Sequence, residues 1–282
     1  MDSNIIKAII NLVKKFDAEV KDSKDVHDRA NSMGDGLEEY IKDLFIDSKT
    51  TNKSEKIQAR SEIFSYTGSR NAPPDAILKA GDAIEVKKIE TLKAPLALNS
   101  SYPKHKLYSN SSMISKSCKE CEQWDEKDIV YCVGSLDKKT KKLNHLMMVY
   151  GEDYAASLDV YTGLKRKVTE AIKNADVDLS ETNELARINK IDPLKITSLR
   201  IRGMWIIKNP VVVFDYIYNP KSNVDFQFAA IINFDKYETL KYTDDLEQLS
   251  KIESNLEIEN VKIQDPNNPA KLRMAKLITF FK

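Results

Sequence analysis

Two short apolar runs, residues 76–78 and 83–89, are separated by Lys79-Ala80-Gly81-Asp82 alone. A connection that short joins antiparallel neighbours, so the runs form a hairpin with Gly81-Asp82 in its turn. A third run, residues 62–66, precedes them and extends the hairpin to a tight β-meander. Such a meander needs a second layer for its apolar side chains, and helical patterns supply one. Residues 3–16 place Ile6, Ile9, Ile10, Val13 and Phe16 at helical spacing after Ser3 as the cap. Leu37, Ile41, Leu44 and Phe45 share one face of a second helix that begins near Gly34-Asp35. Residues 47–56 read as a polar loop.

Beyond the hairpin, residues 111–124 read as a helix capped by Ser111 or Ser112, with Met113, Ile114, Ser117, Cys121 and Trp124 on one stripe. Residues 129–133 and 146–150 read as strands joined by the basic turn at 137–142. The order helix, three strands, helix, two strands describes an α/β fold with a central mixed five-stranded sheet flanked by helices. In the second half, residues 163–174 are expected to be helical. Residues 196–207 and 211–218 are expected as strands around Asn209-Pro210, followed by a strand at 226–234, an acidic helix at 244–254 and a last strand at 277–281. No long Gly/Ser/Pro linker interrupts the 282 residues, so a single domain with a C-terminal extension is expected.

Lys and Arg number 44 against 43 Asp and Glu, so net charge alone gives no reason to expect nucleic acid or an anionic membrane. The apolar stretch 5–16 is broken by Lys7, Lys14 and Lys15 and lacks a small-residue cleavage site. It is therefore neither a signal peptide nor a membrane span, and a cytoplasmic protein is expected. Cys118, Cys121 and Cys132 are too few and too odd in number for a disulfide framework. Cys118 and Cys121 form a CxxC, but no second pair completes a zinc site, and only Cys132 and His145 stand nearby; buried or half-buried thiols are the preferred reading. His27, His105 and His145 have no Ser or Cys beside them in a hydrolase motif, and no Gly-rich phosphate loop is present.

The chemistry gathers on the hairpin. Side chains alternate along a strand, so Glu85 and Lys87 point one way while Val86 points into the core, and the short turn carries Asp75 back towards them. Two carboxylates and one ammonium at a sheet edge suit Mg²⁺, which takes one or two carboxylates and keeps its other positions for water and phosphate oxygens. Asp75 and Glu85 would hold the ion with the Val86 carbonyl as a third ligand, and Lys87 would orient or help deprotonate a water and offset charge on a phosphate. A plainer account exists: Asp75 capping a turn after Pro74, and Glu85 and Lys87 as an ion pair on a solvated face.

Pro74, Asp75, Glu85 and Lys87, in this order of elements, resemble the PD-(D/E)xK nuclease fold of many type II restriction endonucleases. Longer stretches are similar to the NgoPII family of those enzymes: GDGLEEYIKDLF, PPDAILKAGDAIEVKKIE continuing into LALNSSYPKHKL, LRIRGMWIIKNP and NPAKLRMAKLITFF. The resemblance runs over nearly the whole chain. It implies a catalytic core at about residues 34–150 and a recognition and dimerisation extension at about 151–282. It also implies a Mg²⁺-dependent homodimeric endonuclease that cuts double-stranded DNA at a short palindrome, GGCC in that family, leaving 5′-phosphate ends, with a cognate DNA methyltransferase as genetic partner. Many such nucleases add an acidic residue from the helix before the sheet. The spacing from Gly34 favours Glu38, with Glu39 the fallback and two ordinary solvent-facing glutamates the alternative. Without a fixed sequence preference the same fold would act as a structure-specific repair nuclease, and without hydrolysis as a DNA-binding protein.

Local charge departs from the overall balance. Residues 86–119 carry seven lysines, Lys88 among them, against one acid; residues 185–208 carry six bases against one acid; residues 234–265 carry nine acids against four bases. Clustered positive charge is what phosphate contact requires. Asn99, Ser100, Ser101, Tyr102 and Lys104 follow the catalytic strand and suit phosphate or base-edge contacts, or else form an ordinary polar loop turning at Pro103. Arg200 and Arg202 share a strand face and match the guanine O6/N7 edge, with ion pairing to acidic neighbours the alternative. Trp205 is a further DNA-contact candidate, for which core packing is the stronger reading.

Overall fold

Every side chain from Ile129 to Val133 is buried, which only a strand covered on both faces achieves. In the computed structural model of the chain, which describes residues 2–20, 29–46, 52–69, 72–174, 179–180 and 185–282, that strand lies inside a large mixed sheet. In chain order the strands are β1 (Phe64–Tyr66), β2 (Ala76–Leu78), β3 (Ala83–Ile89), β4 (Leu96–Ala97), β5 (Lys106–Tyr108), β6 (Glu126–Leu136) and β7 (Leu143–Tyr150). They continue with β8 (Leu179–Ser180), β9 (Ala186–Ile188), β10 (Leu199–Ile201), β11 (Ile206–Ile207), β12 (Gln227–Asn233), β13 (Leu256–Asp265) and β14 (Asn268–Phe281).

Nine of these strands form one sheet in the order β1-β2-β3-β6-β7-β12-β14-β13, with β5 also paired to β6. β3 with β6 and β7 with β12 are parallel; the other pairs are antiparallel. The expected five-stranded sheet is thus corrected to nine among the described residues. β12, β14 and β13 pair in sequence beyond β7, so the last third of the chain enlarges the same sheet.

Alternation sorts the strands' side chains onto two layers. Ile84, Val86, Val130 and Cys132 meet α1 (Ile5–Lys15), α2 (Arg29–Leu44) and the helix Thr243–Ile252 on one face. Tyr131, Val133, Met147 and Ala229 pack with Leu107, Tyr154 and Phe214 on the other. Eight of the eleven residues of α1 are buried, and each large apolar side chain among them stabilises the fold by about 1.5–3 kcal/mol. At the hairpin turn Ala80, not Gly81, takes the positive φ of 50°. Asp82 beside it accepts from Tyr150 Oη (2.7 Å) and Lys236 Nζ (2.8 Å), which fixes the start of β3.

Several elements differ from expectation for local reasons. Asn4, not Ser3, caps α1, accepting from the Lys7 N–H, while Ser3 Oγ donates to the Phe45 carbonyl. α2 starts at Arg29, ahead of Gly34. Of the expected loop at 47–56, residues 47–51 lie outside the described residues, and α3 (Lys53–Ile63) takes up the rest and the start of the expected strand at 62–66. The expected helix at 111–124 reduces to one turn, Lys116–Lys119, because Ser115 caps it late and Ser111 Oγ ties up the Met113 N–H. The expected strand at 211–218 opens instead with the helical turn Pro210–Val213: Asn209 caps it with proline in its first turn. The expected strand at 196–207 splits into β10, on β9, and β11, on β4. No helix among the described residues is long and apolar enough to cross a membrane.

Candidate active site

β2 begins at Ala76, opposite Ile84, and leaves the edge of β3 beyond that point without a strand neighbour. Asp75 occupies the gap: its N–H donates to the Ile84 carbonyl (3.0 Å) and its Oδ2 accepts the Val86 N–H (2.7 Å). Ile84 and Val86 face the helical layer, so Glu85 and Lys87 project to the other side. There Lys87 Nζ lies 2.6 Å from Glu85 Oε1. The second oxygen, Glu85 Oε2, is buried without a hydrogen-bond partner, a costly state for a carboxylate unless a cation or donor completes it.

Electrostatics show the same crowding. Burial first, then the charges of Glu85 and Glu38, push the Asp75 carboxyl up to about 8. Burial, with Asp35 and Glu85, also raises Glu38 against the opposing pull of Lys42. For Lys87 burial alone would lower the ammonium, but Glu85, Asp75 and Glu38 outweigh it and raise it. Glu38 therefore feels the hairpin charges. Glu39 is gripped by Arg60 and sits 3.5 Å from Lys42 Nζ. No group of three or more His, Cys, Asp or Glu among the described residues is arranged to share a metal ion; Asp75 and Glu85 line one cavity together, and two carboxylates is a number that suits Mg²⁺.

A cavity of about 360 Å³ opens over these groups, and Asp75, Glu85 and Lys87 share it with the 99–102 segment and Lys104. Tyr102 stacks on Tyr161 (centroids 5.9 Å apart), and Trp205 meets both rings edge-on. Trp205 is thus half-buried packing behind the wall. Lys88 projects from the opposite side of β3, 3.9 Å from Glu90. Arg200 and Arg202 are exposed and away from the cavity; Arg200 stands opposite Arg187, and Arg202 falls one residue past β10.

Two features of the site escape a reading by residue type. Gly68 has φ 94°, and a Cβ there would stand 2.6 Å from the Asp75 carbonyl oxygen, so only glycine lets the chain pass behind Asp75. Lys42 is buried and donates to the Thr67 carbonyl at 3.1 Å, fixing α2 to this same passage. His145 is buried, bonded to Tyr218 Oη at 3.0 Å and lowered to about 4 by burial. Cys118 is buried and Cys121 half-buried, with Cys121 Sγ donating to Ser65 Oγ at 3.7 Å. None of these three groups lines the cavity.

A family model described as NgoPII restriction endonuclease matches residues 3–264. The type II restriction enzyme NgoPII of Neisseria gonorrhoeae is 51% identical over 278 residues, 98% of this chain and 99% of that protein. No solved structure matches the chain.

Proposed function

Because the chain belongs to the NgoPII family of restriction endonucleases, we propose that it hydrolyses duplex DNA at a short palindrome, GGCC, leaving 5′-phosphate ends. The observation that carries this reading is the placement of Asp75, bonded to the Val86 N–H at the open edge of β3, in one cavity with Glu85, which has one buried oxygen left unpartnered. Hard oxygens in that number fit Mg²⁺ and a PD-(D/E)xK centre: Asp75, Glu85 and the Val86 carbonyl would hold the ion. When bound, the ion supplies Lewis acidity and a more acidic water.

The chain's own residues do the rest. Lys87, kept as an ammonium by Glu85, orients the attacking water and offsets charge on the non-bridging oxygens. The water oxygen bonds to phosphorus and gives up a proton to solvent as the P–O3′ bond opposite breaks, and the leaving O3′ takes a proton from solvent, giving a 3′-hydroxyl and a 5′-phosphate. Glu38 is the further acidic member, since Glu39 is held by Arg60. Lys88 and residues 99–104 contact the DNA backbone, Arg200 and Arg202 read guanine, and Trp205 braces the reading segment.

A palindrome read by identical subunits calls for a two-fold homodimer. Residues 34–150 act as the catalytic core, and residues 151–282 as the recognition and dimerisation extension. The work is done in the cytoplasm, with a cognate methyltransferase protecting the host's own sites. The test is digestion of phage DNA with Mg²⁺ followed by sequencing of the product ends. Discrete fragments ending within GGCC support the reading. A smear or branch-dependent cutting makes the protein a structure-specific nuclease, and no cutting in Mg²⁺ or Mn²⁺ makes it a DNA-binding protein.

A further inference from the structure

Among the described residues three lysines are buried: Lys42, Lys104 and Lys127. Two have carboxylate company, Lys42 beside Glu38 and Glu39, and Lys127 with Glu122. Lys104 has none within ion-pair distance among the described residues: its ammonium donates to Ser101 Oγ and, at 3.5 Å, to the Tyr102 carbonyl. Taking an ammonium out of water without an anion is unfavourable, so a lysine buried beside an open cavity with no carboxylate partner is ready to receive an anionic ligand. Its base is rigid, because the Lys104 N–H donates to the buried Tyr131 hydroxyl at 2.7 Å.

The anion is indicated by where the ammonium lies. Lys104 lines the same cavity as Asp75, Glu85 and Lys87. Burial, chiefly, and the nearby Lys87 charge lower its ammonium to about 8, with Glu85 only partly opposing. An arriving negative group would reverse that imbalance. Glu85 is already paired with Lys87, which leaves the Lys104 charge for a ligand.

Resting on the nuclease reading, we propose that Lys104 is a substrate-contacting residue of the cleavage pocket, its ammonium binding a non-bridging oxygen of the scissile phosphate. This is a more specific role than general attraction to the DNA backbone. It implies that Lys104 senses one phosphate and no other.

The test is a double-mutant cycle on equilibrium binding in Ca²⁺. Wild type, K104M and K104R are each titrated with cognate duplexes carrying a single neutral methylphosphonate at successive positions around the cut. K104M should weaken binding to the unmodified duplex by about 10-fold. Its penalty should vanish only when the scissile phosphate is neutral, and K104R should retain part of the coupling. Thermal midpoints of the variants report folding, and K104R carries the cycle if K104M is unfolded. A K104M penalty that is the same at every modified position overturns the contact, as does coupling centred on another phosphate. In either case wild-type cleavage stands and the nuclease reading survives. A wild type that neither cuts nor binds any duplex overturns the nuclease reading, and this contact with it.

Discussion

Asp75 Oδ2 accepts the Val86 N–H at 2.7 Å, in the position where a neighbouring strand's carbonyl would stand. One carboxylate thus closes a sheet edge and lines the cavity beside Glu85 and Lys87. Asp75→Asn keeps the acceptor and loses the charge, so its effect isolates the chemistry. Single-turnover cleavage should fall by at least about 100-fold in Asp75→Asn and in Glu85→Gln, while cognate binding in Ca²⁺ stays measurable. Full activity in either variant would sink the metal-site assignment.

The same substitution should stabilise the metal-free protein. Asp75 titrates near 3.8 when unfolded and is held up to about 8 by burial, Glu85 and Glu38 when folded. Stability from this group is whole below about pH 4 and declines as pH rises towards about 8, because the folded chain retains a proton that the unfolded chain releases. In EDTA at about pH 7, Asp75→Asn should therefore exceed wild type by more than about 1 kcal/mol, one pKa unit being worth about 1.4. Denaturant unfolding across pH checks it: the gap should close towards about pH 4, and a gap independent of pH would refute the crowding.

Gly68 carries no charge and does not line the cavity, yet a methyl group there meets the Asp75 carbonyl at 2.6 Å. Gly68→Ala should cost about 1–2 kcal/mol of stability from its positive φ. It should slow cleavage by about 10-fold or more, since displacements near 1 Å cost that much or more in a positioned site. DNA binding in Ca²⁺ should change far less. Comparing the single-turnover rate with the binding constant separates displacement from unfolding.

Arg200 stands on the exposed three-stranded ribbon and Arg202 one residue past it, neither lining the cavity. Replacing either with Ala should reduce discrimination between the cognate site and a one-base variant by about 1–3 kcal/mol. Lys88→Ala should weaken both duplexes alike. Competition binding at fixed salt measures the ratio, and an unchanged ratio in both arginine variants moves base reading to another segment.

The hairpin and its trio were legible because a strand's alternation and a four-residue turn are local properties. Pairing across the chain is not local. Nothing in residues 226–234 announces that Gln227 will stand opposite His145 in a parallel pair, so the strand was legible and its place in the sheet was not. Ser111 or Ser112 reads as the cap of one long helix, whereas Ser111 takes the Met113 N–H and Ser115 the Cys118 N–H. Glu38 and Glu39 differ only in which neighbour reaches them, and Arg60, which decides it, comes from α3, itself read partly as loop. Lys104 looked like one more polar-loop lysine; burial, which sets it apart, is a property of the assembled fold.

Trp205 donates its N–H to the Asn99 carbonyl (2.8 Å) and accepts from the Leu98 N–H (2.9 Å), next to the pairing of β11 with β4. The stretch bearing Arg200 and Arg202 is thereby spliced, backbone to backbone, onto the stretch that forms the cavity wall. If Arg200 and Arg202 read bases as proposed, a wrong base that unseats them would drag the wall out of place before any bond is broken. Fidelity would then need no separate messenger, because the gauge and the blade would be one piece.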